Sequence, residues 1–264
     1  MKKTVFLFAL ILLVLKLFGE NYQISSPDGK VSTEIKIGEK ITYQVFFNQE
    51  KVLDESPILF TFAQAPPLGN NMAVEKTEER TFDESWKPVL KRYETIRNHY
   101  NSIRLNLKEI KFPQREMVLE FRVFNDGVSF RTEFPAQFEN REFVLQEELT
   151  HFNFAEDHTC WAVNYGSYTT SQEKEFFQRK IGGITSEMII GLPMTVKVND
   201  NCYAALTEAA LDDYAGMYIK ADKQEGSFSL RTALSPRKGQ PENGEKPEFH
   251  SPHYGRRDEG KKPA

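Results

Sequence analysis

Apolar and polar side chains alternate with a period of two over much of this chain. Val31, Thr33, Ile35 and Ile37 face one way between polar neighbours, Gly38-Glu39-Lys40 breaks the run, and Ile41, Tyr43, Val45 and Phe47 resume it. Alternation on both sides of a short glycine-containing break predicts a β-hairpin. A second hairpin is predicted where residues 117–124 and 128–134 flank Asn125-Asp126-Gly127, with Asp-Gly expected to supply the positive-φ pair of a tight turn. Arg122 and Arg131, one on each side of that turn, read as solvated cations on the outer face.

Further short strands are predicted at 103–107, 143–147, 194–198, 203–207, 217–220 and 227–234. Trp86-Lys87-Pro88 and residues 92–101 are expected to form a connection that returns to the sheet. Residues 171–180 are the one helix expected, although the adjacent Phe176 and Phe177 define no apolar face. Many short strands at this spacing, without long amphipathic helices between them, predict an all-β fold of packed antiparallel sheets.

Both ends of the chain differ from this body. Met1-Lys2-Lys3 followed by apolar residues 5–15 has the basic start and short hydrophobic core of a secretory signal peptide over residues 1–19. The run is too short to span a bilayer, and no cysteine follows it to take a lipid. The expectation is therefore an exported protein, periplasmic or secreted, without a stable membrane anchor. From Ser235 onward Ile, Leu, Val and Met are absent, while 5 of the 13 prolines and 4 glycines fall within the last 30 residues. Such a segment buries too little apolar surface to offset the entropy of ordering it, so 237–264 is expected to be disordered, and 20–236 to be the folded domain.

The net charge of −4 offers no basic surface of the kind nucleic acid requires. In an oxidising compartment the two cysteines, Cys160 and Cys202, can form a disulfide or remain as two buried thiols; their spacing in sequence does not decide between these. No zinc-ligand spacing, phosphate-binding glycine loop or Ser/His/Asp arrangement stands out.

The chemistry of greatest interest is in Leu206-Thr207-Glu208-Ala209-Ala210-Leu211-Asp212-Asp213-Tyr214-Ala215-Gly216-Met217-Tyr218. On the residues alone Glu208 reads as a calcium ligand, a hydrogen-bonded turn residue or the partner of an arginine. Three acids in six residues lack the alternating donors and pivotal glycine of an EF-hand. With Ser26-Pro27-Asp28-Gly29-Lys30, Phe121-Arg122-Val123-Phe124-Asn125-Asp126-Gly127-Val128-Ser129-Phe130-Arg131, Ser171-Gln172-Glu173 and Gly191-Leu192-Pro193-Met194 in this order, residues 22–236 resemble the N-terminal domain of glycoside hydrolase family 97.

The resemblance implies an antiparallel β-supersandwich similar to galactose mutarotase. It also implies a place beside a catalytic (β/α)8 barrel that supplies the acid and the second carboxylate. In that family the N-terminal domain helps to wall the active site and to hold a calcium ion near the sugar. By the resemblance Glu208 is the expected calcium ligand and Asn164 a second one, unless Asn164 is a turn former before Tyr165-Gly166. Tyr165 and Trp161 are expected at the sugar, with core packing as the alternative reading of both. Asp213 is a further subsite residue, or it holds the turn around Tyr214. The expected partners are an α-linked oligosaccharide and the barrel.

Phe249-His250-Ser251-Pro252 begins the family's approach to its barrel, and His253 onward departs from it. This suggests an open reading frame truncated or frameshifted after Pro252. Alone, the chain is expected to be inactive, with calcium weakly held. The rival readings are a stand-alone carbohydrate-binding module and a protein-interaction domain. Sugar epimerases of the mutarotase fold use His with Glu, but none of the five histidines sits in a paired motif.

Overall fold

The computed structural model describes residues 19–90, 92–136, 143–212, 214–222, 228–236 and 249–250. The strands are β1 (Glu20–Ser25), β2 (Val31–Ile37), β3 (Ile41–Phe47), β4 (Glu50–Phe62), β5 (Ala65–Leu68), β6 (Met72–Trp86), β7 (Ile96–Glu109), β8 (Glu116–Phe124) and β9 (Gly127–Glu133). They continue with β10 (Val144–Asn153), β11 (Thr159–Asn164), β12 (Phe177–Lys180), β13 (Ile190–Lys197), β14 (Tyr203–Leu206), β15 (Met217–Ala221), β16 (Ser229–Leu234) and β17 (Phe249–His250). A single 3₁₀ turn, Ile181–Gly183, is the one helical element among the described residues.

Every strand pairing is antiparallel. The large sheet runs β1-β2-β3-β4-β10-β16-β15-β13-β11-β12, with β5 on β4, β14 on β13 and β17 on β10; β6-β7-β8-β9 form the second sheet. This is the all-β antiparallel sandwich that the alternation predicts. The second sheet lies over β1 and β2, so inward residues of both meet in one core. Tyr43 packs on Phe121 and Phe130 with ring centroids 5.8 and 5.1 Å apart, and Ile35, Ile41, Leu105, Leu119 and Phe121 are at most 1% exposed. Burying such side chains is the main stabilising term in a sheet sandwich.

Both predicted hairpins form. In β2–β3, Ile37 faces Ile41 across the Gly38-Glu39-Lys40 turn. In β8–β9, Phe124 faces Gly127, so Asn125 and Asp126 make the turn. None of the three turn residues lies in the left-handed region, contrary to the expected positive-φ pair. Asn125 Oδ1 instead accepts the Asp28 N–H at 3.1 Å and ties this turn to the neighbouring one.

Arg122 and Arg131 do face outward, but they are not simply solvated. The register puts Arg104, Glu120 and Arg131 in one row across β7, β8 and β9. Glu120, only 9% exposed, receives Arg122 Nε at 2.8 Å, Arg131 Nη2 at 3.0 Å and Arg104 Nη1 at 3.5 Å. A carboxylate between guanidinium groups removes the repulsion a like-charged row would carry.

The helix expected over 171–180 does not form: 171–176 are irregular, and Phe177–Lys180 make β12, which pairs with β11 from Thr159↔Lys180 to Ala162↔Phe177. Its alternation has a period of two: Phe177 is half-buried, Gln178 exposed, and the Arg179 guanidinium lies 4.2 Å over the Phe177 ring. The connection expected after Trp86 is shorter than predicted, because β7 already begins at Ile96. Residues 83–86 and 96–99 thus form a two-stranded arm beyond the last β7–β8 pair, Tyr100↔Phe124. Arg97 grips Asp83 through both oxygens there, at 2.8 and 2.7 Å. All of the expected signal segment but Gly19, and all of the 237–264 tail but Phe249 and His250, lie outside the described residues. No helix among the described residues is long and apolar enough to cross a membrane.

Candidate functional site

The described residues between β14 and β15, 207–212 and 214–216, follow an irregular loop at the end of the large sheet where β10, β15 and β16 are neighbours. The loop turns tightly at Ala210, whose φ is +52°, and the Asp212 N–H donates to the Ala210 carbonyl at 2.9 Å. Its end is fixed by the Ser235 N–H, which donates to the Gly216 carbonyl at 2.8 Å. Glu208 stands exposed on this loop, and its Oε2 accepts the Met217 N–H at 2.9 Å. Of the roles open to it from sequence, the structure displays the hydrogen-bonded turn acceptor.

A second carboxylate stands behind the loop. Glu148 on β10 is half-buried. Its Oε2 accepts the Tyr214 hydroxyl and its Oε1 the Thr150 hydroxyl, both at 2.8 Å. Burial pushes the Glu148 carboxyl above the ordinary range, the two hydroxyl donors act against that shift, and the nearby Glu208 charge adds to it. Burial, followed by the Glu148 charge, likewise raises the Tyr214 phenol well above its usual value. Glu208 and Glu148 are thus electrostatic neighbours, a relation with no sequence signal beyond the plain pair Glu147-Glu148.

Tyrosines line the adjacent surface. Tyr218 lies between Tyr165 and Tyr168, with edge-on ring contacts at 6.2 and 5.1 Å. Gln172 Nε2 donates to the Tyr218 hydroxyl at 3.0 Å, and Lys174 Nζ to the Tyr165 carbonyl at 2.6 Å. Lys220 Nζ sits 5.6 Å from the centre of the Tyr168 ring. The Tyr218 phenol is raised by burial, then by Tyr165 and Glu208, which places this group beside the Glu208 loop. Gly191 makes the arrangement possible: a Cβ there would stand 2.2 Å from Tyr165 Cε2.

The remaining expected residues are distributed differently. Asn164 Oδ1 accepts the Gly166 N–H at 3.0 Å and the Ile189 N–H at 3.1 Å, with Gly166 at φ +71°. That is an Asx-type turn. Trp161 is half-buried, and its ring partner is Tyr203 on β14, 6.1 Å away, rather than the tyrosine group. Asp213 lies outside the described residues. Among the described residues no three His, Cys, Asp or Glu side chains come together as a metal site. Cys160 and Cys202 are free thiols, Cys160 buried and Cys202 half-buried.

Tyr168, Tyr218, Gln172 and Gly191 join this surface without being expected there; Gln172, Gly191 and Tyr218 stand in the segments that carry the family resemblance, and Tyr168 between them. Their neighbourhood, set by strand pairing, was not readable there. The onward path of the chain also returns to this region: β17 pairs with β10 at Val144↔His250 and Leu145↔Phe249, three residues from Glu148.

Residues 24–252 match the family model described as glycosyl-hydrolase 97 N-terminal. The chain is 29% identical over 249 residues to a retaining alpha-galactosidase of Bacteroides thetaiotaomicron, covering 90% of this chain and 36% of that protein. A family 97 glycoside hydrolase from Pseudoalteromonas sp. strain K8, solved with acarbose, superposes with a TM-score of 0.74 at 22% identity, over 88% of this chain and 34% of that one. A beta-arabinopyranosidase crystal structure also superposes, with a TM-score of 0.74 at 17% identity over 88% and 38% of the two chains. The chain therefore spans about a third of the length of these relatives. By its family match over most of its length, this chain belongs to the N-terminal domain family of glycoside hydrolase family 97.

Proposed function

We propose that this chain is the active-site-shaping domain of an exported α-glycosidase, working with catalytic carboxylates that it does not itself contain. The single observation that carries the reading is the position of Glu208. It is exposed on a loop whose Glu208 carboxylate and Gly216 carbonyl are both bonded at the end that joins β15, on the part of the sheet where β17 brings the chain onward against β10. A segment following β17 would meet the sandwich there.

The residues present fit calcium in part. Calcium takes six to eight oxygens, and the Glu208 carboxylate is a suitable hard donor, but no cluster among the described residues completes a shell. Glu208 would supply one ligand and the remainder would come from the partner domain. Asn164, whose amide oxygen already accepts two backbone N–H groups, fits the turn better than the ion. Bound there, calcium would stabilise charge developing at the reacting sugar. The chain's own contribution is to fix Glu208, present Tyr165 and its neighbouring tyrosines as a wall for an α-linked oligosaccharide, and keep water from that side.

The test joins residues 20–252 to the remaining part of the alpha-galactosidase relative and measures aryl α-galactoside and α-glucoside cleavage with and without calcium. Calcium-dependent turnover that falls about a hundredfold or more in Glu208→Gln, with none from the chain alone, is the expected outcome. Turnover indifferent to Glu208 would refute the assignment. A stand-alone carbohydrate-binding module is the second reading, favoured by the tyrosine group itself; oligosaccharide binding by the chain alone, lost in Tyr165→Ala, would establish it instead.

A further inference from the structure

We infer that Glu148 is a positioning residue for Glu208, acting through a latch in which the Tyr214 hydroxyl docks the 207–216 loop onto strand β10. This rests on the reading of Glu208 as the functional oxygen donor and adds what holds that donor in place.

The loop has few fastenings of its own. Its start carries exposed residues from Thr207 to Asp212, with Leu211 49% exposed. Two bonds, from the Met217 N–H to Glu208 and from the Ser235 N–H to Gly216, hold the end that joins β15. Tyr214 is the loop side chain that ties it to β10: its hydroxyl donates to Glu148, 66 residues away in sequence. Tyr214 is 46% exposed as a residue, so its hydroxyl, and not burial of its whole ring, makes the connection.

The target is built to be rigid. Glu148 is oriented from its other oxygen by the Thr150 hydroxyl at 2.8 Å, and its own carbonyl accepts the Thr232 hydroxyl of β16. The Thr150 N–H donates to that same Thr232 oxygen at 3.2 Å. The carboxylate is thus oriented from within β10 by Thr150, while the backbone that carries it is tied to the adjacent strand β16 through Thr232, and a loop tethered to it inherits that position. A carboxylate half-buried near Glu208 raises the local cost of negative charge, and placing it there is unfavourable unless it serves a hydrogen-bonding purpose. The latch is that purpose.

The test is amide hydrogen exchange on the full chain, read on peptides covering 207–217, together with terbium binding followed by tyrosine-sensitised emission. Tyr214→Phe, which keeps the ring, is expected to speed exchange in 207–217 by about tenfold, the loss of one hydrogen bond to a half-buried carboxylate. Exchange in β7 and β8 should stay unchanged. Glu148→Ala should behave the same way, and Glu148→Gln, which retains an acceptor oxygen, should stay within about twofold of wild type. Unchanged exchange in 207–217 for Tyr214→Phe, or acceleration spread evenly over the whole sandwich, would overturn the latch.

Terbium separates this inference from its parent reading. Weaker terbium binding in Tyr214→Phe, with Glu208→Gln abolishing it, supports both. Terbium binding untouched by Glu208→Gln removes the donor role of Glu208, while the exchange result still decides the latch.

Discussion

Tyr165 rests where it does because position 191 has no side chain. A Cβ at Gly191 would fall 2.2 Å from Tyr165 Cε2 and 2.9 Å from Cζ, closer than any non-bonded carbons approach. Gly191→Ala must therefore displace the ring, at an overpacking cost of about 1–3 kcal/mol. We expect its melting temperature to fall by roughly 3–8 °C, and Tyr165→Ala in the same chain to recover part of the loss, since residues in contact do not act additively. Thermal melts of the two single variants and the double variant measure this; strictly additive losses would contradict the contact. The cysteines pose a question of the same scale. Sequence left open a disulfide or two thiols because spacing along a chain does not set Cα separation; the structure leaves both free. Burial pushes the Cys160 thiol up to about 11, and raises Cys202 less. Since the thiolate is the reactive form, Ellman's reagent should find two thiols in denaturant without reductant. In the native protein Cys202 should react first, slowly, and Cys160 should remain silent. A single fast phase in the native state would refute this.

At the scale of elements, period-two alternation revealed β2, β3, β8 and β9 because each sets apolar side chains toward the core and mostly polar ones on the opposite face. Strands such as β6 and β12 escaped it for physical reasons. Nearly all of β6 beyond Met72 is exposed or half-exposed, so no apolar face announces it, and β12 is four residues at the far edge of the large sheet. The junction between β7 and β8 was equally silent, yet it holds a tight ion pair. Arg115 reaches Glu109 Oε1 at 2.7 Å and Oε2 at 2.9 Å, its own N–H donates to Oε2 at 2.9 Å, and it also donates to the Pro67 carbonyl at 3.1 Å. Both side chains are 11% exposed. Burial alone would raise the Glu109 carboxyl; the Arg115 side-chain bond, N–H and charge overcome it and lower it. Removing one partner leaves the other buried and uncompensated, so Arg115→Met is expected to cost about 3–5 kcal/mol while the pair as a whole adds little over an apolar replacement. Urea denaturation of Arg115→Met, Glu109→Gln and the double variant checks this, the double being less damaged than the sum of the singles.

For the molecule as a whole, sequence conveyed the sandwich and the family, while the spatial relation of Glu208, Glu148 and the tyrosines depended on which strands pair. β10 meets β16, and β15 meets β13, neighbours that are far apart along the chain and carry no local mark. That topology also determines how stability should respond to pH. Glu109, Glu120 and Glu133 are all lowered in the folded state, by Arg115, by Arg122 and Arg131, and by Arg104 respectively, against an opposing effect of burial. Their contribution is present above the ordinary glutamate range and is lost as the pH falls through their folded values. Glu148 carries the opposite sign. Its folded value is raised, first by burial, so its contribution is complete below the unfolded value, near 4.5, and is lost as the pH rises through the folded value. Glu148→Gln removes this one opposing term and retains an acceptor for Tyr214. The difference in melting temperature, Glu148→Gln minus wild type, should therefore become more positive between pH 4 and pH 8, even as both proteins lose stability in acid through the three lowered glutamates. A parallel pair of curves, or a difference that grows toward acid, would mean that Glu148 is not held against its charge, and that the loop carrying Glu208 meets β10 in some other way.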